Sequence, residues 1–170
     1  IYTLCRTLSP HHLWPQNDAW GKHDYTLEGA QRGASFNGII EKAFGVIGDV
    51  HQFTKLAQWV NYNGYRAMFE SGSKHRLGLL IWMSHPCWPS MTWQTYDYYL
   101  EPTAAYFGVK KACEPLHIQW NASTRKMEVV NLHKMMKDSL IAQCEVLDMW
   151  GKSIVKYQQR IEIKPDTTVE

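Results

Sequence analysis

No stretch of this 170-residue chain is long enough to suggest a membrane-spanning helix. The longest uncharged apolar run, Leu77 to Met83, stops far short of the roughly 20 residues such a helix needs. Charge of one sign is missing too. Eighteen Lys and Arg face 16 Asp and Glu, a formal net charge of +2, which leaves no electrostatic footprint for nucleic acid or an anionic membrane. Cysteine is sparse. Cys5, Cys87, Cys113 and Cys144 are scattered without a Cys-x-x-Cys spacing, which fits neither a zinc ribbon nor a small disulfide scaffold and predicts buried free thiols. Repeats, low-complexity runs and Gly/Ser linkers are absent. So are an initiator Met and a basic-then-apolar leader before Ile1, so the chain reads as an excised or processed piece whose N-terminus carries no address.

Aromatics are abundant. The chain has 8 Trp and 9 Tyr within a composition that is 45% hydrophobic and 20% charged, neither disordered nor low-complexity. Core burial is the default fate of most of these rings, which also make flat platforms for flat ligands.

Periodicity divides the chain near Pro115. Residues 1–32 read as irregular, with a short helix opening at Ser9-Pro10. Phe36, Ile39, Ile40, Ala43, Phe44 and Ile47 recur at helical spacing. Asp49, with Gln52 three residues later, is close to a capping box for a helix reaching Glu70, whose apolar face is Phe53, Leu56, Ala57, Val60, Gly64, Ala67 and Met68. Leu77–Met83 is a continuous apolar run, the pattern of a strand buried on both faces. The aromatic loop 84–99 follows, and Pro102 opens a helix closed by Pro115. Helix, buried strand, loop, helix is an α/β unit, in which function sits on the loops beyond the strands' C-terminal ends.

Beyond Pro115 the period is two. Leu116, Ile118 and Trp120 point one way, His117 and Gln119 the other; 127–132, 140–147 and 154–163 follow as strands. In the last, Val155, Tyr157, Ile161 and Ile163 share a face. Four short strands predict an antiparallel sandwich, short of the seven or so strands of an immunoglobulin-like domain. Asn121-Ala122-Ser123 is a formal glycosylation sequon, meaningful in a secretory context alone.

Gly78-Leu-Leu-Ile-Trp-Met83, Trp88-Pro-Ser90, Trp93-Gln-Thr-Tyr-Asp-Tyr-Tyr99 and Ala105-Tyr-Phe-Gly108 together resemble glycoside hydrolase family 2, in its exo-β-glucosaminidase and endo-β-mannosidase branch. Asn63–Glu70 and Lys110–Gln119 support the resemblance. It implies that 1–115 is the C-terminal portion of a (β/α) TIM barrel, with Leu77–Met83 its eighth strand, and that 116–170 begins an immunoglobulin-like β-sandwich. Both would be incomplete, since a whole barrel takes about 250 residues. It further implies a retaining β-glycosidase acting on β-linked glucosamine or mannose, with the rest of the parent barrel, or self-association, covering the open edges. A secreted or periplasmic location follows from the resemblance alone.

Retaining glycosidases use two carboxylic acids. In this family the acid/base Glu follows an Asn, and no Asn-Glu pair occurs here; the nucleophile strand would lie upstream of Ile1. No catalytic residue is assigned to this chain. Glu28, Glu41, Glu70, Glu101 and Glu114 read as surface carboxylates. The resemblance places Trp82 at the floor of the subsite holding the cleaved sugar, with Trp88, Trp93 and His85 as further substrate-binding candidates. At His85, Pro86 and Cys87 the chain departs from the branch, where an Asn-like residue and then small residues are usual, which bears on sugar specificity. No metal is implied, because His11-His12 and His85/Cys87 lack partners at ligand spacing, and no cofactor is called for. The competing reading is a self-contained carbohydrate-binding or structural module whose aromatic loop is its binding face.

Overall fold

In a computed structural model, residues 1–25, 32–71, 78–91 and 94–170 are described. Two compact units emerge, Ile1–Phe69 with Leu77–Ala112, and Glu70–Arg76 with Cys113–Glu170. The architecture is mixed, with helices in the first unit and antiparallel sheets in the second.

The first unit contains α1 (Tyr2–Thr7), a 3-10 turn (Pro10–His12), α2 (Asp18–Gly21), α3 (Arg32–Phe44), α4 (Val50–Glu70) and α5 (Ala104–Ala112). The start of α4 follows from its sequence. Asp49 Oδ1 accepts the Gln52 N–H at 2.8 Å, and the Gln52 side-chain oxygen reaches back to the Gly48 N–H at 2.8 Å, so the reciprocal bond lands one residue before the cap. Hydrogen bonding to the ionised form holds the Asp49 carboxyl below its ordinary value.

The core of this unit is Leu8, Trp20, Tyr25, Ile40, Ile47, Val50 and Phe53. Trp20 meets Tyr25 and Phe53 edge-on, with centroids 5.3 and 5.5 Å away, the arrangement that aromatic quadrupoles favour. Its indole N–H donates to His12 O at 2.8 Å, so the ring is buried without an orphaned donor. Burial pushes the Tyr25 phenol up to about 12, and its hydroxyl donates to Asn37 Oδ1 at 2.5 Å. Along α5 the buried residues are Ala105, Gly108 and Ala112, a small-residue face on which a Cβ at Gly108 would collide with the Tyr62 carbonyl of α4.

The second unit has β1 (Leu116–Asn121), β2 (Lys126–Asn131), β3 (Asp138–Leu147), β4 (Ser153–Ile163) and β5 (Thr167–Val169). One sheet runs β1-β2-β5 and the other pairs β3 with β4, all antiparallel. Val129, Ile161 and Ile163 form a small apolar cluster with Leu116, Met136, Leu140 and Ala142 packed on it. The β3–β4 turn is set by Asp148, whose Oδ1 accepts the N–H groups of Trp150 and Lys152 at 2.9 Å, with Gly151 at φ +82°.

Several sequence expectations are corrected here. Residues 78–83 form no strand: Leu80 is 99% exposed and Trp82 81%. A parallel strand is buried only by neighbours on either side, and the described residues supply none; Leu77 lies outside them. On β1 the two sets do point opposite ways, and the polar one faces inward. His117 and Gln119 are buried, whereas Ile118 is 38% and Trp120 54% exposed. The polar side is buried against partners for most of its groups: His117 Nε2 meets Glu70 Oε1 at 2.7 Å and Gln119 Nε2 donates to Glu128 Oε2 at 2.9 Å, while His117 Nδ1 is left without a hydrogen bond. Glu70 is therefore an internal partner rather than a surface carboxylate; Glu41 and Glu101 are exposed, Glu114 half-buried, and Glu28 lies outside the described residues. Cys5, Cys87 and Cys113 are exposed and Cys144 is half-buried, all free, because Cys5 is on the outer side of α1, Cys87 in the loop and Cys113 just past α5, none of them in the apolar core. The fifth strand was not anticipated.

Candidate functional site

The aromatic loop that leads from residue 84 to α5 is held by a few strong local bonds. Ser84 O accepts the backbone N–H groups of Thr95 (3.2 Å) and Tyr96 (2.9 Å) and the Thr95 hydroxyl (3.1 Å), which staples the two ends of the loop together. Asp97, itself buried, organises the turn that follows: its Oδ1 accepts the N–H groups of Tyr99 and Glu101, each at 2.9 Å, and its Oδ2 takes the Thr3 hydroxyl. The Arg6 guanidinium lies 3.8 Å from the Tyr99 ring centroid, and the Tyr99 hydroxyl donates to Arg6 O at 3.1 Å. An irregular segment with its carbonyls and amides so occupied is a rigid support for exposed side chains.

Trp88 is one of them. Its ring, 42% exposed, stacks on His23 with centroids 6.0 Å apart at 25°. His23 Nδ1 stands 2.5 Å from Pro89 O, and the Met91 N–H donates to His23 O at 2.9 Å. A carbonyl at that distance requires the proton on Nδ1, so the imidazole is fixed in tautomer and in plane. His23 is the site residue that sequence reasoning did not assign; nothing in local spacing links positions 23 and 88.

His85 is exposed, its Nε2 3.4 Å from Tyr98 O. Trp82 is exposed on the segment just before the loop, and the Trp82–Met83 peptide is cis. Pro86 between these positions is fully buried and anchors the loop. Trp82, His85 and Trp88 are thus each exposed within seven residues of chain. Trp93 lies outside the described residues.

Two of the carboxylates are committed to internal partners. Glu70 is bonded to His117, and Glu128 to Gln119 and Asn121. The Asn121 amide nitrogen of the sequon donates to Glu128 Oε1 at 2.8 Å. Among the described residues no group of three or more His, Cys, Asp or Glu is placed to hold a metal ion, and no helix is long and apolar enough to cross a membrane.

No family model matches the chain. Individual proteins do. The chain is 31% identical over 159 residues to the exo-β-D-glucosaminidase of Amycolatopsis orientalis, a match covering 88% of this chain and 15% of that enzyme. To the mannosylglycoprotein endo-β-mannosidase of Lilium longiflorum it is 32% identical over 140 residues, 79% of this chain and 14% of that protein. These relatives bear out the resemblance to glycoside hydrolase family 2 in its exo-β-glucosaminidase and endo-β-mannosidase branch. The fold agrees: the solved exo-chitosanase of Amycolatopsis orientalis superimposes with a TM-score of 0.82 at 24% identity, over 98% of this chain and 21% of that one. A third relative, the exo-β-D-glucosaminidase of Hypocrea jecorina, is 28% identical over 78% of this chain and 16% of its own length. The chain therefore spans about a sixth of the length of the relatives that it matches.

Proposed function

We propose that this chain is the part of a retaining β-glycosidase, of exo-β-glucosaminidase or β-mannosidase type, that builds the floor and one wall of the sugar site without contributing the catalytic glutamates. On this reading 1–115 is the C-terminal portion of a TIM barrel and 116–170 the start of an immunoglobulin-like sandwich. Residues 77–83 become the eighth strand once flanking barrel strands pair with them. The observation that carries the reading is the exposure of Leu80 and Trp82 on an apolar segment lacking ladder partners among the described residues. Such a segment is costly in water, at about 25 cal/mol for each Å² of apolar surface left exposed, and is explained by a partner that covers Leu80 while leaving the indole at the barrel mouth.

In this scheme Trp82 lies beneath the sugar, Trp88 is held against it by His23, and Trp93 and His85 line the rim. The parent would cleave β-linked glucosamine or mannose by double displacement, its two carboxylic acids about 5–5.5 Å apart on other strands. The direct test is hydrolysis of p-nitrophenyl β-D-glucosaminide and the β-mannoside by the purified 170-residue chain. No turnover above the uncatalysed rate is expected, and turnover that persists through repurification would overturn the assignment. A self-contained binding module would instead bind chitosan or mannan oligomers tightly by itself, which titration calorimetry reads.

A further inference from the structure

One peptide group in the aromatic loop is engaged at both of its polar atoms. Between Tyr98 and Tyr99, the N–H donates to Asp97 Oδ1 at 2.9 Å, and the carbonyl oxygen lies 3.4 Å from His85 Nε2. A carbonyl oxygen accepts and never donates, so the His85 proton that meets it is on Nε2 and Nδ1 keeps its lone pair. Asp97 is buried and is itself held fast: Oδ1 also accepts the Glu101 N–H at 2.9 Å, and Oδ2 takes the Thr3 hydroxyl from α1. Thr3, Asp97, the 98–99 peptide and His85 therefore form one run of hydrogen bonds, from a buried carboxylate to an exposed imidazole.

The strengths along that run decide which group controls which. Hydrogen bonds to a carboxylate are about twice as strong as those between neutral groups, whereas the His85 bond is long and its ring stands in solvent. A peptide whose N–H is bonded to a carboxylate is also polarised, which makes its carbonyl the better acceptor. Asp97 thus sets the plane of the peptide, and the peptide sets the imidazole. Pro86, fully buried, fixes the backbone beside His85, so the side-chain torsions are the freedom that Tyr98 O removes. The bond from the Tyr99 hydroxyl to Arg6 O, at 3.1 Å, holds the Tyr99 ring and not the peptide plane.

We propose that Asp97 is a positioning residue for His85, holding the imidazole through the Tyr98–Tyr99 peptide in one orientation with Nδ1 as an acceptor. On the reading of residues 82–88 as part of the sugar site, on which this proposal rests, that acceptor selects a donor, a sugar hydroxyl or ammonium, over a carboxylate.

The test follows the His85 ring in the full chain by NMR, using side-chain couplings for its rotamer and nitrogen-15 shifts for the site of its proton. A single rotamer with a bare Nδ1 is expected in the parent chain, and rotamer averaging in Asp97→Ala. Asp97→Asn should restore the single rotamer, because its side-chain oxygen can accept the same two backbone N–H groups. Tyr99→Phe, which loses the bond to Arg6 O and keeps the 98–99 peptide on Asp97, should leave His85 fixed. If Asp97→Ala fails to fold, Thr3→Val removes one partner of the carboxylate and should loosen His85 in the same direction. His23 separates this effect from a general loosening of the loop, since its ring should stay against Trp88 and the Pro89 carbonyl in every variant. An averaged His85 in the parent chain, a neutral ring with its proton on Nδ1, or a single rotamer retained in folded Asp97→Ala would overturn the proposal. So would release of His85 in Tyr99→Phe. None of these outcomes depends on hydrolysis, so the glycosidase reading fails separately, by turnover from the chain alone.

Discussion

Replacing Gly108 by alanine isolates the closest helix contact in the first unit. In an exposed helix interior the substitution would be favourable by about 1 kcal/mol, because glycine pays the larger backbone entropy. Here the added Cβ would lie 3.2 Å from Arg66 N and closer still to the Tyr62 carbonyl oxygen, both backbone atoms of α4 that cannot rotate aside. Relief requires α5 to move away from α4, which loosens the buried contacts of Ala105 and Ala112. Overpacking of this kind costs about 1–3 kcal/mol, and against backbone the upper part of that range applies, so a net loss of about 1–2 kcal/mol remains after the helix gain. For a unit of this size that is a fall in Tm of about 4–16 °C. Gly64 supplies the internal control: a Cβ there meets nothing within 4 Å, so Gly64→Ala should raise Tm by the propensity term alone. Circular dichroism melts of the two variants decide the matter. If Gly108→Ala melts at or above the parent temperature, the packing argument is wrong.

Asp49→Asn keeps a good cap and removes the titration. The folded Asp49 carboxyl ionises below its ordinary value, so its stabilisation is complete above the usual carboxylate range and disappears as pH falls through the lowered value; denaturation curves between about pH 5 and 2 should show a shallower acid loss in the variant. Tyr25 has the opposite sign. Its folded value of about 12 lies above the usual 10, so stability is complete below pH about 10 and falls as pH rises from there; the absorbance titration at 295 nm should lose one late-ionising phenol in Tyr25→Phe. Glu128→Ala removes the carboxylate that accepts from Gln119 and Asn121, while Gln119 Nε2 keeps Glu70 O; it should cost about 1–3 kcal/mol, read by urea denaturation. His23→Ala releases Trp88 from its stacking partner and the Pro89 carbonyl, so iodide quenching of Trp fluorescence should increase while far-UV circular dichroism stays the same.

Much of the secondary structure was legible because it is written in local patterns. The Asp49/Gln52 cap and the spacing of Phe53, Leu56, Ala57 and Val60 specify α4, and strict alternation after Pro115 specifies the strands. Burial was less legible, since it depends on what lies opposite. The inward face of β1 carries His117 and Gln119, and alternation separates the two faces without saying which is inward; their partners Glu70 and Glu128 stand 47 and 9 residues away in sequence. The Leu77–Met83 run is as apolar as any buried strand, yet Leu80 and Trp82 stand exposed because a strand's burial belongs to its neighbours. At the candidate site, Trp88 is exposed on the aromatic loop, and its support by His23 arises from a contact across 66 residues of chain, from His23 to Pro89, which no local pattern reveals. Asp97, which ties the loop to Thr3, carries no local signal of its own.

The most direct test of the account is complementation. The 170-residue chain would be mixed with a family 2 exo-β-glucosaminidase from which the corresponding segment has been deleted, and p-nitrophenyl β-D-glucosaminide hydrolysis followed. The account predicts that neither component acts alone, that the mixture acquires activity, and that Trp82→Ala in the added chain diminishes it. Hydrolysis by the chain alone, or restored activity indifferent to Trp82, would contradict it.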